Sequence, residues 1–222
     1  MDSIPDAIEA FKRGEFVIVL DSALRENEGD LIIAASTIST AQMAFMIRHT
    51  SGYICTPISR TLASSLSLPQ MVVDNADPNR TAYTITVDAS EGVTTGISAH
   101  DRALTCRTLA NAKSTAASFR RPGHVLPLQA RDGGVRERFG HTEAGVELCR
   151  LAGKPEVAVI CEMVKDGEIM PGKSEMEGSG MMRRDDCLEF GKKWGLKVCT
   201  IEDLVAYVEK TEGKLAVNGS NY

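Results

Sequence analysis

No apolar run in these 222 residues approaches the roughly 20 that a membrane-spanning helix needs. The start, Met1-Asp2-Ser3-Ile4-Pro5-Asp6, lacks the basic stretch and apolar core of a secretory signal, so a cytoplasmic protein is expected. The six cysteines, at 55, 106, 149, 161, 187 and 199, include no C-x-x-C pair and sit mostly among apolar neighbours. They read as reduced core thiols rather than a disulfide framework. Net charge is −5 with both signs mixed along the chain, which leaves no basic stripe for nucleic acid and no case for a membrane partner. No segment repeats. What is present is 43% hydrophobic residues, enough for one sizeable core, and one domain over 1–222 is expected.

The order of elements predicts an α/β (α+β) fold, with a central sheet covered by helices on both faces. Ile4, Ala7, Ile8 and Phe11 share one face of a helix over 5–12, with Ser3 near its cap. Strands follow over 16–20 and 30–35, then a helix over 41–50 with Thr40 as the expected N-cap. Tyr53-Ile54-Cys55 reads as a short strand stopped by Pro57, and 60–66 as a brief helix. Residues 71–80 carry turn chemistry, 83–87 alternate as a strand and 101–112 are helical. A strand over 125–128 is expected to break at Pro127. Helix 143–152, strand 156–163, helix 185–194, strand 197–200 and helix 202–209 complete the order. Residues 166–182, rich in Gly, Met, Ser and charge, read as an exposed loop, and 211–222 as a frayed tail.

Chemistry concentrates where two apolar strands meet. Between Phe16-Val17-Ile18-Val19-Leu20 and Leu31-Ile32-Ile33-Ala34-Ala35 lies Arg25-Glu26-Asn27-Glu28-Gly29-Asp30. Clustered carboxylates suit a hard cation such as Mg²⁺, and Arg25 suits an anionic, phosphorylated ligand. A second cluster, Arg136-Glu137-Arg138-Phe139-Gly140-His141-Thr142-Glu143, leads into a helix expected to begin near Thr142 as its N-cap. The free N–H groups of a helix start make an anion site, and Arg138 adds a fork-shaped charge partner. His141 at the same mouth is suited to ligating a metal or moving a proton. Thr94-Thr95-Gly96 feeds another helix start, where simple capping by Ser98 or Asp101 weighs equally. Arg120-Arg121-Pro122-Gly123-His124 places a histidine in an expected Pro-Gly turn. Glu162 closes the apolar strand before it and is a candidate acid or base. Such carboxylates with a phosphate clamp would also serve a metal-dependent sugar-phosphate phosphatase, or a non-catalytic sugar-phosphate-binding protein.

Five segments together carry a resemblance. They are Asp21 with Arg25-Glu26-Asn27-Glu28-Gly29-Asp30, Arg48-His49-x-Ser51-Gly52, Gly92-Val93-Thr94-Thr95-Gly96-Ile97-Ser98-Ala99, Arg121-Pro122-Gly123-His124-Val125 and Gly140-His141-Thr142-Glu143-Ala144. In that order, and on to Thr200-Ile201-Glu202-Asp203-Leu204, the chain resembles the 3,4-dihydroxy-2-butanone 4-phosphate synthases. No GTP cyclohydrolase II domain follows, so the monofunctional form is expected, and the 166–182 segment resembles the fungal members. The resemblance implies a three-layer α/β/α sandwich with a central mixed sheet, paired as a homodimer with active sites near the interface. It implies conversion of D-ribulose 5-phosphate to L-3,4-dihydroxybutan-2-one 4-phosphate and formate, with Mg²⁺ or Mn²⁺ as two ions per site. Carried over by position, Glu26 and His141 become metal ligands that also contact substrate. Arg25, Asp30, Thr95, Arg138 and Thr142 become substrate contacts, and Glu162, His124 and Cys55 catalytic positions. The chain departs from the family at Ser22-Ala23-Leu24, where many relatives are more acidic, and in the length of 166–182.

Overall fold

In a computed structural model of the chain, residues 1–215 are described. The elements in order are α1 (Ile4–Lys12), β1 (Val17–Leu20), β2 (Gly29–Ala34), α2 (Thr40–His49), β3 (Cys55–Ile58), α3 (Arg60–Ser65) and β4 (Val87–Ala89). Then follow α4 (Ala99–Leu109), β5 (Phe119–Gln129), α5 (His141–Leu151), β6 (Ala158–Glu162), β7 (Val164–Lys165), β8 (Glu168–Ile169), β9 (Met176–Glu177) and β10 (Gly180–Met181). The last three are α6 (Arg184–Trp194), β11 (Lys197–Thr200) and α7 (Ile201–Glu212). Seven strands make one mixed sheet in the order β11-β1-β2-β6-β3-β5-β4, parallel at β11/β1 and β3/β5 and antiparallel elsewhere.

Alternation along the buried strands sorts side chains into two cores. Ile18, Leu20, Leu31, Ile33, Val159 and Cys161 face α2, α3, α4 and α6 through Met43, Met46, Ala63, Cys106, Leu109 and Phe190. Val17, Val19, Ile32, Ala34, Ala158 and Ile160 face α1, α5 and α7 through Phe11, Leu148, Leu204 and Val208. Burying each large aliphatic side chain contributes roughly 1.5–3 kcal/mol, so strands apolar on both faces are held in the middle layer. The result is the expected α/β/α sandwich. Among the described residues no helix is long and apolar enough to cross a membrane.

Several local expectations are corrected. Ser39, not Thr40, caps α2: its hydroxyl accepts from Gln42 N at 3.1 Å, and Gln42 Oε1 accepts from Ser39 N at 3.0 Å. Pro57 does not stop β3. The carbonyls of Ile54, just before β3, and Ile58, at its end, accept from Leu126 N and Ala130 N on the β5 side, and those bonds need no N–H from Pro57. Likewise β5 runs through Pro127, whose carbonyl accepts from Thr84 N and Thr84 Oγ1. Tyr83 and Thr84 make only isolated bridges, and the short strand β4 starts at Val87.

His124 lies in no Pro-Gly turn but within β5. There the β4 register jumps from Val87↔Val125 to Asp88↔Arg120, so residues 121–124 bulge out unpaired. A bulge tolerates Pro122 because no ladder bond is asked of it. The expected loop at 166–182 is a largely exposed ribbon of two nested antiparallel pairs, β7 with β10 and β8 with β9. α7 extends to Glu212, into the expected tail, and residues 216–222 of that tail lie outside the described residues.

Candidate active site

The loop from β1 to β2 is folded around one carboxylate. Asp21 accepts from Glu26 N at 3.1 Å, Glu28 N at 3.0 Å and Arg25 Nη1 at 2.9 Å. Arg183, just before α6, donates to the carbonyls of Glu26 and Asn27 at 2.9 and 2.6 Å. These bonds place Glu26, Glu28 and Asp30 on the wall of a cleft. Its other walls are Arg25, Cys55, Thr81, Tyr83, Leu128, Arg138, His141, Thr142, Ile160 and Glu162. Glu162 sits opposite Asp30 in the β2/β6 ladder, and its side chain accepts from Ser51 Oγ at 3.0 Å.

At the other wall α5 begins. Gly140, not Thr142, is its N-cap, and no side chain caps it. Thr142 lies inside the first turn. A Cβ on Gly140 would lie 2.2 Å from Arg138 Nη1, so glycine is what lets Arg138 fold back over the helix start. Arg138 donates to Glu143 Oε2 at 2.6 Å, to Thr81 Oγ1 at 3.3 Å and to the Asn79 carbonyl. An uncapped helix start with a guanidinium beside it favours a bound anion.

His141 is 7% exposed, and its Nε2 lies 3.1 Å from the Val19 carbonyl. A carbonyl only accepts, so Nε2 carries the proton and Nδ1 keeps its lone pair. Burial pulls the imidazole pKa down to about 4 against the pull of Asp21, so the ring is neutral. Nδ1 looks toward Asp30 Oδ1 at 3.5 Å and Glu26 Oε2 at 3.9 Å. Asp30 Oδ1 is buried and has no hydrogen-bond partner among the described residues. Burial, then Glu162, Glu26 and Glu28, push the Asp30 carboxyl well above the usual range. Glu28 is raised by burial and by Glu26 and Glu162.

This donor set fits a hard divalent cation: oxygen ligands, one neutral imidazole lone pair, an orphaned buried oxygen, and crowded carboxylates whose repulsion a cation would relieve. Among the described residues no three potential ligands are already gathered around one point. Arg25 bonds to Glu26 Oε2 and Asn79 Nδ2 donates to Oε1 at 2.6 Å, so both would yield to a metal.

The structure brings together Arg25, Glu26, Asp30, Cys55, Arg138, His141, Thr142 and Glu162, and leaves out His124 and Thr95. His124 stands at the β4/β5 edge with Nδ1 2.8 Å from Asp88, and Thr95 is exposed in the loop beside it. Cys55 lines the cleft, but burial and then Glu162 push its thiol well above the ordinary range. It is therefore a protonated thiol at neutral pH rather than a ready nucleophile. The sequence places Glu28 in the carboxylate cluster without a role of its own, and does not single out Thr81 or Tyr83. Alternate spacing puts Glu28 on the same side of the chain as Glu26 and Asp30. Thr81 and Tyr83 come from an irregular connection with no motif to mark them.

A family model described as 3,4-dihydroxy-2-butanone 4-phosphate synthase matches residues 5–207. A protein of that name from Pyricularia oryzae is 62% identical over 220 residues, 99% of this chain and 94% of that one. Its namesake from Saccharomyces cerevisiae is 54% identical over 213 residues, 93% of this chain and 98% of that one. A crystal structure of an enzyme of that name in complex with two magnesium ions superposes with a TM-score of 0.96 at 62% identity, over 97% of this chain and 100% of that one. A cation-free form gives 0.92 at 60% identity, over 96% and 100%.

Proposed function

The chain belongs to the 3,4-dihydroxy-2-butanone 4-phosphate synthase family, and from that premise we propose how its own cleft performs the reaction. The reaction turns D-ribulose 5-phosphate into L-3,4-dihydroxybutan-2-one 4-phosphate and formate, a step of riboflavin biosynthesis, and this chain catalyses it. Supporting the assignment of residues is one observation: four carboxylates, a histidine and an uncapped helix start with its arginine face a single cleft.

The substrate phosphate sits at the start of α5, held by the backbone N–H groups there, Thr142 and Arg138. Arg25 adds positive charge on the approach. Glu26 and His141 Nδ1 would hold Mg²⁺, or Mn²⁺ in its place, and two such ions would use the neighbouring carboxylates. When bound, the ions act as Lewis acids on the sugar oxygens and lower the cost of charge there. Asp30, fixed in β2, accepts from a sugar hydroxyl with its unpartnered oxygen. Glu162, steadied by Ser51, moves a proton during the sequence of C3 deprotonation, C1 hydroxyl loss, C5 migration and C4 departure as formate. Cys55 closes the floor as a neutral side chain.

His124 is the second proton-moving residue of this reading, and it does not line its own chain's cleft. A homodimer with active sites near the interface reconciles the two: the exposed ring enters the cleft of a second copy. The chain is a single domain, and a cytoplasmic location goes with it. Incubation with D-ribulose 5-phosphate and Mg²⁺ should release formate. Inorganic phosphate without formate would identify a phosphatase, and an unchanged ligand a binding protein. Light scattering near the 24.0 kDa of one chain at micromolar concentration would contradict the dimer.

A further inference from the structure

The β4/β5 edge carries a second imidazole–carboxylate pair, unlike the one in the cleft. Asp88 Oδ1 accepts from His124 N at 2.9 Å, and Asp88 Oδ2 lies 2.8 Å from His124 Nδ1. Both carboxylate oxygens are thus committed to one residue. The carboxylate is buried, with its side chain 9% exposed, whereas the ring it holds is 41% exposed. The bulge at 121–124 makes this possible by lifting His124 out of the ladder and over Asp88.

The surroundings are shaped to the pair. Gly96, with φ +96°, packs so closely that a Cβ there would lie 2.0 Å from Asp88 Oδ2 and 2.5 Å from His124 Nδ1. Its loop is pinned by Asp101, which is 1% exposed and accepts from Gly96 N at 3.0 Å, Thr94 N at 3.1 Å and Thr94 Oγ1 at 2.8 Å. A surface histidine that did nothing would not need a buried carboxylate, a glycine and an anchored loop around one nitrogen.

We propose that Asp88 is the positioning residue of His124: it fixes the ring's orientation and holds its proton on Nδ1, so that Nε2 is presented outward as a bare base. A carboxylate only accepts, so Nδ1 must donate to it, and the lone pair falls on Nε2. Among the described residues Nε2 has no hydrogen-bond partner. Asp88 touches no substrate in this assignment and acts through His124. The inference rests on His124 moving a proton in the reaction proposed above.

The test uses the full chain with Mg²⁺ and ribulose 5-phosphate, and the ring ¹⁵N shifts of its four histidines. In the wild type His124 should show a protonated Nδ1 and a bare Nε2. Asp88→Asn must still accept from His124 N, which turns its NH₂ toward Nδ1 and favours the opposite tautomer. Its kcat should fall about 10²-fold or more with KM changed far less. Asp88→Glu should recover both the tautomer and most of the rate, which a merely structural loss would not predict. A wild-type ring protonated on Nε2 would overturn the proposal without any variant. So would full kcat in Asp88→Asn when His124→Ala is inactive. Full kcat in His124→Ala would instead overturn the reading of His124 itself, and the positioning role with it.

Discussion

At the mouth of α5, His141 is buried, gives its Nε2 proton to the Val19 carbonyl and turns a bare Nδ1 toward carboxylates 3.5 and 3.9 Å away. At the β4 edge of the sheet, His124 is two-fifths exposed, commits Nδ1 to Asp88 at 2.8 Å and turns Nε2 outward. Residue type is the same, and each has a carboxylate within reach. The difference lies in what the backbone offers: a strand-end carbonyl fixes the first ring, and a side-chain carboxylate in a bulge fixes the second. One ring is thereby suited to ligation in a closed space, the other to proton transfer across an open edge.

The comparison breaks most visibly if the cleft histidine is removed. Glu26→Gln and His141→Ala should each lower formate release by at least about 10³-fold while circular dichroism shows an intact fold, because neither side chain fills a core. EDTA should have the same effect, reversed by Mg²⁺ or Mn²⁺. Full activity in a chelated sample would refute the role given to the carboxylates.

Next in size are the proton-moving residues. Glu162→Gln and His124→Ala should lower kcat by about 10²–10⁴-fold with modest changes in KM. Mixing the two inactive variants should restore part of the activity if His124 serves the cleft of the partner, since some mixed dimers then hold one complete site. No recovery on mixing would place both residues in one chain's site.

Arg138→Met should cut kcat/KM for ribulose 5-phosphate by about 10²-fold and erase most of the preference over free ribulose, because the phosphate is remote from the reacting carbons. Arg138 also neutralises Glu143, whose side chain is 1% exposed, so a fall in Tm should accompany the loss. Unchanged preference would move the clamp elsewhere, with Arg102 or Arg121 the next to test.

Smaller effects mark the edges of the comparison. Iodoacetamide should modify Cys55 no faster than the other five buried cysteines, since burial keeps its thiol protonated. Rapid, substrate-protected labelling would restore it as a nucleophile. Excising part of 172–180 should shift stability by no more than about 0.5 kcal/mol and leave the mass in light scattering unchanged, because residues 172–180 are all exposed.

Much of the architecture was legible because apolar alternation is a local property. Val17 to Leu20 and Leu31 to Ala34 are apolar at every position, which marks strands covered on both sides wherever they sit in the sheet. Proline was the recurrent source of error. Pro57, Pro122 and Pro127 read as breaks, yet each sits where its missing N–H is not asked for, and only the neighbouring strands settle that.

The chain's own residues determined the two anion and cation clusters, since Glu26 and Asp30 are separated by three residues, and Arg138 and His141 by two. They also marked a helix start after the polar run, but near Thr142, and only the structure moves the cap to Gly140. Which clusters meet was decided by the sheet order, because β6 lies between β2 and β3 and so brings Glu162 opposite Asp30 and beside Cys55. The tautomers were likewise tertiary facts. A histidine's proton goes to whichever nitrogen finds an acceptor, and the acceptors here are Val19, 122 positions away, and Asp88, 36 away, brought close only by folding.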